Sequence, residues 1–177
     1  MTAMAAGALH EVFLKPGEYA VGDTHCRIRT VLGSCISIAL WCSSLKLGAM
    51  SHCLLPTRGR AGLQGLRGLE LRELDARYID EALHLMLHDL ERRHVRVAAC
   101  SAKIFGGGNM FPGQRGAGLP VGRRNGEAAR GLLKAHGIEV VSESLFGDGH
   151  RQIVFDIASG DVWARQLPPA EAIESPV

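Results

Sequence analysis

The sequence lacks the features that mark several classes of protein. Its net charge is only +2 over 177 residues, too small a basic excess to indicate nucleic-acid binding by itself. No apolar stretch approaches the length of a membrane span, and the opening residues MTAMAAGALHEVF carry no basic segment typical of an export signal. We therefore expect a cytoplasmic protein that neither enters a membrane nor binds nucleic acid.

Paired cysteines are also lacking. The chain has 5 cysteines, an odd number, and no two are spaced as Cys-x-x-Cys. This pattern disfavours a disulfide framework and a structural zinc site. We expect Cys26, Cys42, Cys53 and Cys100 to be free and buried, since none of them has a comparably placed histidine.

The residues that are present fit one domain. A hydrophobic content of 46% with 21% charged residues is enough for a single core, and no internal repeat is visible. The ending PPAEAIESPV has the composition of a mobile tail. We expect a folded domain over residues 15–167, between flexible segments at 1–14 and 168–177.

Short segments rich in strand-forming residues surround two helical patterns. Apolar residues at helical spacing predict a first helix over residues 69–93, and a second helix is predicted from Asn125 as N-cap to Gly137 as C-cap. The early strands are expected to form one antiparallel sheet, and an Ala-Ser-Gly turn at 158–160 is expected to join the last two strands. This order predicts an α+β layered domain with mostly antiparallel strands. The predicted strands are EYAVGD, CRIRTVL, ISIALWC, LGAMSHCLL, VRVAACSAKIF, IEVVSESLF, HRQIVFDI and DVWARQL.

Cys35 follows a Gly-Ser pair at the start of an apolar strand. The midpoint between Cys35 and His52 falls at the turn signal CSSLK, so a hairpin centred there makes the two residues cross-strand partners. A turn shifted by a residue or two makes the pair diagonal. A neighbouring imidazolium can hold a cysteine as a nucleophilic thiolate and later return a proton to a leaving group. The alternative for Cys35 is a small buried hydrophobic residue.

Two glycine-containing segments accompany this pair. A turn at Gly33 and Ser34 is either an ordinary bend or a source of backbone N–H groups for an oxyanion. The segment FGGGNM lacks the Lys-Ser/Thr ending of a phosphate-binding loop and the spacing of a dinucleotide fingerprint. His84 and His88 are four residues apart on the first predicted helix, where a solvated polar face is a more common explanation than a metal site.

Several motifs together resemble the chemoreceptor glutamine deamidase CheD family. They extend over roughly residues 19–162 and comprise TVLGSCISIAL, LGAMSHCLLP, AKIFGGGNMF and VGRRNGEAARGLLKAHGIEVVSESLFGDGHRQIVFDIASGDV. The resemblance implies a single-domain α/β/β/α sandwich that catalyses deamidation with a Cys-His pair and requires no metal or cofactor. Cys35 matches the family's nucleophile and His52 its general base. Thr30 matches its usual threonine, with Arg29 at the spacing of some members.

The resemblance further implies a substrate. The family hydrolyses glutamine side chains of methyl-accepting chemotaxis receptors to glutamate. On this reading Gly106 and Gly107, with Gly108, form an active-site wall that lets backbone approach closely. The arginines of the loop PTRGRAGLQGLRG either contact acidic receptor helices or are ordinary solvated charges. These are Arg58, Arg60 and Arg67.

Other functions remain open on the same residues. One is a signalling adaptor that binds and stimulates a CheC-type CheY-phosphate phosphatase, a role the family resemblance also implies. Hydrolysis of receptor glutamate methyl esters and transglutamination are further possibilities, because a Cys-His pair serves all of these acyl transfers.

Overall fold

The computed structural model describes residues 7–58, 66, 68–113 and 118–167. Within these ranges the chain forms nine strands and two α-helices, and neither helix is long and apolar enough to cross a membrane. Single turns of 3-10 helix at Leu71–Glu73 and Val97–Ala99 precede α1 and β6. The elements are β1 His10–Phe13, β2 Tyr19–Gly22, β3 Cys26–Leu32, β4 Ile36–Cys42, β5 Leu47–Ser51, α1 Ile79–Glu91, β6 Ser101–Gly106, α2 Val121–Ala135, β7 Glu139–Leu145, β8 His150–Asp156 and β9 Val162–Leu167.

The strands divide into two sheets. One has five strands in the order β2-β5-β4-β6-β7, and the other has four in the order β1-β3-β8-β9. All neighbours are antiparallel except β1 with β3 and β6 with β7. The α+β class with mostly antiparallel strands is therefore confirmed.

The prediction of one early sheet is wrong for β3. Strands β2, β5 and β4 pair with one another, but β3 pairs with β1 and with the distant β8. The partner of β3 lies more than a hundred residues later in the sequence, so no local pattern reveals it. Alternation of buried and partly exposed residues along β3 fits a strand with one face on the core.

Two apolar cores share the five-stranded sheet. Ile38 of β4 faces α1 and α2, whereas Ala39, the next residue, faces the four-stranded sheet. Both faces of β4 are therefore buried, which explains its continuous apolar run. Each large aliphatic side chain that is fully buried contributes about 1.5–3 kcal/mol. The described elements are thus layered as helices, five-stranded sheet and four-stranded sheet.

The first strand lies in the segment expected to be flexible. His10–Phe13 pair in parallel with β3, and the following Leu14 is only 2% exposed. The expectation of flexibility over 1–14 is therefore corrected for β1. Phe13 is 60% exposed, so the segment has no inward apolar alternation that would mark it as a strand. The expected C-terminal tail at 168–177 lies outside the described residues.

The first helix is shorter than predicted. It begins at Ile79, after extended backbone at Leu74 and Tyr78. The N–H groups of Leu54 and Leu55 both donate to the Arg77 carbonyl, at 2.8 and 3.0 Å. These hydrogen bonds to the segment after β5 keep the backbone around Arg77 extended. The helical spacing of apolar residues does not reveal them.

The second helix begins earlier than predicted. It starts at Val121 after Pro120, and Arg124 N donates to the Pro120 carbonyl at 3.1 Å. Asn125 is therefore a buried residue inside α2 and not its N-cap. The helix ends one residue before the predicted position, because His136 is the C-cap and Gly137 follows it with φ +68°.

Candidate active site

The β4–β5 hairpin fixes the relation between Cys35 and His52. An antiparallel bridge pairs Ile36 with Cys53, the residue after each of them. In an antiparallel pair this makes Cys35 and His52 diagonal neighbours on one face, displaced by two positions from direct opposition. Diagonal neighbours lie about 7–8 Å apart at Cα, within reach of long side chains.

Cys35 is half-buried directly before β4, on the side that faces the four-stranded sheet. Burial raises the pKa of its thiol, an effect opposed by its own backbone N–H. No backbone carbonyl in the described ranges accepts a hydrogen bond from that N–H. It is therefore free to donate to an oxygen that becomes negative beside the sulfur.

Glycines enclose the backbone of Cys35. Gly106 has φ +109°, and a Cβ there would overlap the Cys35 carbonyl oxygen. Gly107 N donates to that same carbonyl at 2.9 Å, and Gly108 N donates to the Gly33 carbonyl at 2.9 Å. The structure thus brings the FGGG segment directly against the residues that precede β4, as a wall in which a side chain has no room.

The two residues before Cys35 are held by different neighbours. A Cβ on Gly33 would lie 2.8 Å from the Met110 sulfur, so Met110 packs directly against this residue. The Ser34 carbonyl accepts a hydrogen bond from the Asn125 side chain at 3.1 Å. The turn is therefore fixed mainly through its backbone.

His52 is 3% exposed and makes a short hydrogen bond to Thr30. Its Nδ1 lies 2.7 Å from Thr30 Oγ1, which lies 2.9 Å from the Leu14 carbonyl oxygen. A carbonyl can only accept, so the hydroxyl proton goes to Leu14 and the hydroxyl oxygen accepts from Nδ1–H. This assignment leaves the lone pair on Nε2, which makes neutral His52 a base at that atom.

Burial lowers the pKa of His52. The Leu14 carbonyl and the charge of Glu18 raise it by less, so the net shift is downward. A lowered imidazole pKa and a raised thiol pKa both favour the neutral forms. Both shifts therefore favour a thiol beside a neutral imidazole over a thiolate beside an imidazolium. Within the described residues no hydrogen bond joins Cys35 to His52.

The strand alternation separates Thr30 from Arg29. Thr30 is fully buried and points into the gap between the sheets, towards His52. Arg29 points to the opposite face, where it pairs with Glu11 at 3.2 Å. Thr30 is therefore the residue of this pair that contacts the histidine, and Arg29 is remote from it.

Arg151 is a buried cation that the sequence analysis missed. It is 4% exposed, and it donates from Nη1 to the Gly106 carbonyl at 2.9 Å and from Nη2 to the Phe146 carbonyl. Among the described residues no carboxylate pairs with it, and burial lowers its pKa. Arg151 therefore supports the glycine wall from behind. The sequence could have revealed this, because Arg151 occupies one of the alternate positions of HRQIVFDI that face the core, together with Ile153 and Phe155.

The loop arginines are only partly described. Arg58 Nη2 lies 2.7 Å from the buried carboxylate of Glu81, and its guanidinium lies 4.9 Å from the centre of the Tyr78 ring. Arg58 also lines a cleft of about 730 Å³ that reaches Leu14 and Glu18. Its charge is thus already paired within the protein. Arg60 and Arg67 lie outside the described residues.

The described ranges contain no group of three or more His, Cys, Asp or Glu side chains arranged to hold a metal ion. His84 and His88, proposed above as a minor metal alternative, are both partly exposed on α1. Burial lowers the pKa of His84, and the nearby His88 and His136 lower it further.

Comparison with known proteins identifies the family. Residues 66–166 match the family model described as CheD chemotactic sensory transduction. Over 160 residues the chain is 58% identical to "Probable chemoreceptor glutamine deamidase CheD 2" of Albidiferax ferrireducens, covering 90% of this chain and 88% of that protein. The chain belongs to the CheD family. The resemblance read from the motifs is thereby confirmed.

Two further CheD relatives show lower identity. The chain is 40% identical over 159 residues to "Probable chemoreceptor glutamine deamidase CheD 3" of Dechloromonas aromatica, covering 90% of this chain and 89% of the relative. It is 34% identical over 166 residues to the "Probable chemoreceptor glutamine deamidase CheD" of Thermococcus kodakarensis, covering 93% and 98%. The CheD family match at 66–166 includes Gly106 and Asn125 but begins after Cys35 and His52.

Proposed function

We propose that this CheD-family protein hydrolyses glutamine side chains of methyl-accepting chemotaxis receptors to glutamate, with Cys35 as nucleophile and His52 as general base. The main support is the hydrogen-bond chain from His52 Nδ1 through Thr30 to the Leu14 carbonyl, which leaves Nε2 free to accept a proton. The relatives' names support the substrate.

Acylation begins from the neutral pair. His52 Nε2 takes the thiol proton as Cys35 Sγ attacks the carboxamide carbon of glutamine. The tetrahedral oxygen receives a hydrogen bond from the Cys35 N–H, with the turn at Gly33 and Ser34 as the neighbouring source of donors. His52 then protonates the departing nitrogen, ammonia leaves and a thioester remains on Cys35.

Deacylation uses the same base. His52 Nε2 removes a proton from water, whose oxygen attacks the thioester carbon. The C–S bond breaks, the sulfur recovers a proton from His52 and glutamate is released. The sum is glutamine plus water giving glutamate plus ammonia. General-base assistance of this kind contributes about 10²–10⁴-fold to a rate.

The product changes the receptor's charge, because each reaction replaces a neutral amide by a carboxylate. We propose that the reaction takes place in the cytoplasm. Arg58, Arg60 and Arg67 remain proposed contacts to acidic receptor helices. For Arg58 this requires its guanidinium, which lies in the cleft beside Leu14, to bind a receptor carboxylate while it remains paired with Glu81.

The test is mass spectrometry of a receptor cytoplasmic fragment after incubation with wild type, Cys35→Ala and Cys26→Ala. Cys26 is a matched control, since it is also a free cysteine but lies at the far end of β3. We expect wild type and Cys26→Ala to convert a specific glutamine to glutamate and Cys35→Ala to convert none. Equal conversion by all three proteins would refute Cys35 as the nucleophile.

The same assay separates the alternative functions. A methyl-ester peptide that is hydrolysed while the glutamine peptide is untouched would indicate an esterase. The adaptor would be indicated if the folded wild-type protein converts no receptor and a separate binding measurement shows that the Cys35→Ala variant still binds a CheC-type phosphatase.

A further inference from the structure

We infer that Asn125 is a positioning residue that holds the segment carrying Cys35 at a fixed distance from the segment carrying His52. The inference rests on the proposed roles of Cys35 and His52 as nucleophile and base. It concerns a helix residue whose side-chain hydrogen bonds go to the Ser34 and Leu54 carbonyls. The sequence pattern predicts this residue to be a helix cap.

The Asn125 amide joins two separate backbone segments. Its Nδ2 donates to the Ser34 carbonyl at 3.1 Å and to the Leu54 carbonyl at 2.9 Å. Ser34 directly precedes Cys35, and Leu54 follows His52 by two residues. A side-chain amide has two N–H donors, and both are used here. One side chain therefore links the turn before the nucleophile to the segment after the base.

Burial makes this link strong and directional. Asn125 is fully buried, so breaking either of its hydrogen bonds would lower the stability of the protein by about 1–3 kcal/mol. The Oδ1 atom has no hydrogen-bond partner within the described ranges. The amide is therefore oriented by its two donors alone, since a flipped amide would point an oxygen at two carbonyl oxygens.

Glycines beside Asn125 bring α2 close enough to reach. A Cβ on Gly122 would lie 2.5 Å from the Gly107 carbonyl oxygen, and one on Gly126 would lie 2.6 Å from the Phe146 ring. A glycine inside a helix is about 1 kcal/mol less favourable than alanine. The first half of α2 retains two such residues on the face that carries Asn125, and that face lies directly on the glycine wall.

The neighbouring contacts leave a specific task for Asn125. The Ile36–Cys53 bridge already joins β4 to the segment after β5, through backbone bonds of 2.9 and 2.8 Å. Ser34 precedes β4 and is not held by that bridge. The carbonyls of Gly33 and Cys35 accept hydrogen bonds from Gly108 N and Gly107 N, both at 2.9 Å, whereas the Ser34 carbonyl between them is held by the Asn125 side chain. Without Asn125 the Ser34–Cys35 peptide group, which carries the Cys35 N–H, can rotate while the bonds on either side stay in place. We expect the separation of Cys35 Sγ and His52 Nε2 to change.

The test reads the Cys35–His52 geometry without any receptor. The rate of Cys35 alkylation by iodoacetamide is measured by peptide mass spectrometry from pH 5 to pH 10 in wild type, His52→Ala, Asn125→Ala and Asn125→Asp. In wild type we expect a rate component that follows the titration of His52, absent in His52→Ala. Both Asn125 variants should lose that component and react at least about 10-fold more slowly at neutral pH, because a misplaced base assists poorly.

Ala129→Gly is the matched control. Ala129 is fully buried on the same helix, four residues on, and the change weakens α2 by about 1 kcal/mol. A merely structural role for Asn125 predicts that any loss of stability in α2 alters the profile, so that Ala129→Gly would alter it in proportion to its own loss of stability. We expect it to keep the wild-type profile. Urea unfolding of each protein supplies the stability comparison.

The inference has two decisive failures. Folded Asn125→Ala or Asn125→Asp with the wild-type alkylation profile would overturn it, and so would a wild-type profile indifferent to His52. Asn125→Ala leaves space unfilled, whereas Asn125→Asp keeps the volume but places carboxylate oxygens against the two carbonyls, so each variant serves if the other does not fold. With a receptor substrate, we expect Asn125→Asp to lower kcat about 10–100-fold with little change in KM. Absence of receptor conversion by wild type would count against the proposed function and leave the alkylation comparison intact.

Discussion

The candidate nucleophile and the candidate base are held in opposite ways. His52 is fixed through its side chain, by the bond from Nδ1 to Thr30 and the further bond to Leu14. Cys35 is fixed through its backbone, by Gly107 N on its own carbonyl and by Gly106 packed against it. The contacts of His52 fix which ring nitrogen carries the proton, and the contacts of Cys35 fix where its backbone lies.

The difference follows from what each group does. The imidazole ring has two nitrogens, and only the unprotonated one can act as the base. A hydrogen bond donated by the other nitrogen fixes which one is unprotonated. A thiol has a single reactive atom and rotates freely, so only the position of its backbone needs control. We therefore expect a side chain added to the glycine wall beside Cys35 to act by steric overlap, and a change at Thr30 beside His52 to act by loss of a hydrogen bond.

The largest effect is expected for Gly106→Ala. The new Cβ would overlap the Cys35 carbonyl, at a φ of +109° that disfavours any side chain. Since the obstacle is backbone, we expect a loss of stability of more than about 3 kcal/mol in urea unfolding. Gly137→Ala separates the two causes, because Gly137 has φ +68° with no atom near its Cβ position. It should lose only about 1 kcal/mol, and equal losses would contradict the steric account.

The next effect is expected for Thr30→Val, which keeps the shape and removes the hydroxyl. His52 Nδ1 then has no acceptor at 2.7 Å to select its tautomer, so we expect kcat for receptor deamidation to fall about 10–100-fold. Stability should also fall by about 1–3 kcal/mol, since two buried polar groups lose a partner. Thr30→Ser should stay within a few-fold of wild type.

Arg29→Gln is the control for position on β3. Arg29 is adjacent in sequence but faces solvent in a pair with Glu11, so we expect less than about 1 kcal/mol and no loss of kcat. A loss of activity in Arg29→Gln that matches Thr30→Val would contradict the assignment of the threonine.

The smallest effect concerns pH. His52 acts as a base only when neutral, and burial lowers its pKa below the usual value of about 6.5. We expect kcat/KM to be level from pH 7 to pH 8.5 and to fall only below about pH 6.5, as His52 becomes protonated. An ion pair would instead lose activity as pH rises through the pKa of the imidazolium. A profile declining above pH 7 would therefore contradict the neutral resting pair.

Much of the candidate site could be predicted because its parts are close in sequence. The apolar run ISIALWC coincides with β4, and the hairpin places Cys35 and His52 on one face. Of the two predicted arrangements the diagonal one is found, because the turn at residues 43–46 is centred one position after the midpoint between Cys35 and His52. Lys46 has φ +53° in that turn, a conformation for which a lysine gives no signal.

The remaining parts depend on contacts between distant segments. Arg151 reaches Gly106 across forty-five residues, and Asn125 reaches Ser34 across ninety-one. Asn125 reads as a helix cap by local rules, because only the tertiary structure reveals the carbonyls it meets. The same holds for β3, whose partner β8 is remote in the chain.

The position of Leu14 bears on how this protein can be shortened or tagged. Its carbonyl receives the Thr30 proton, and it directly follows β1, which lies along the edge of the four-stranded sheet. A version that begins at residue 15 would retain Cys35, His52 and Thr30 but leave the hydroxyl of Thr30 free to rotate and donate to the histidine. Such a shortened protein would carry every reactive residue and still present the wrong imidazole nitrogen.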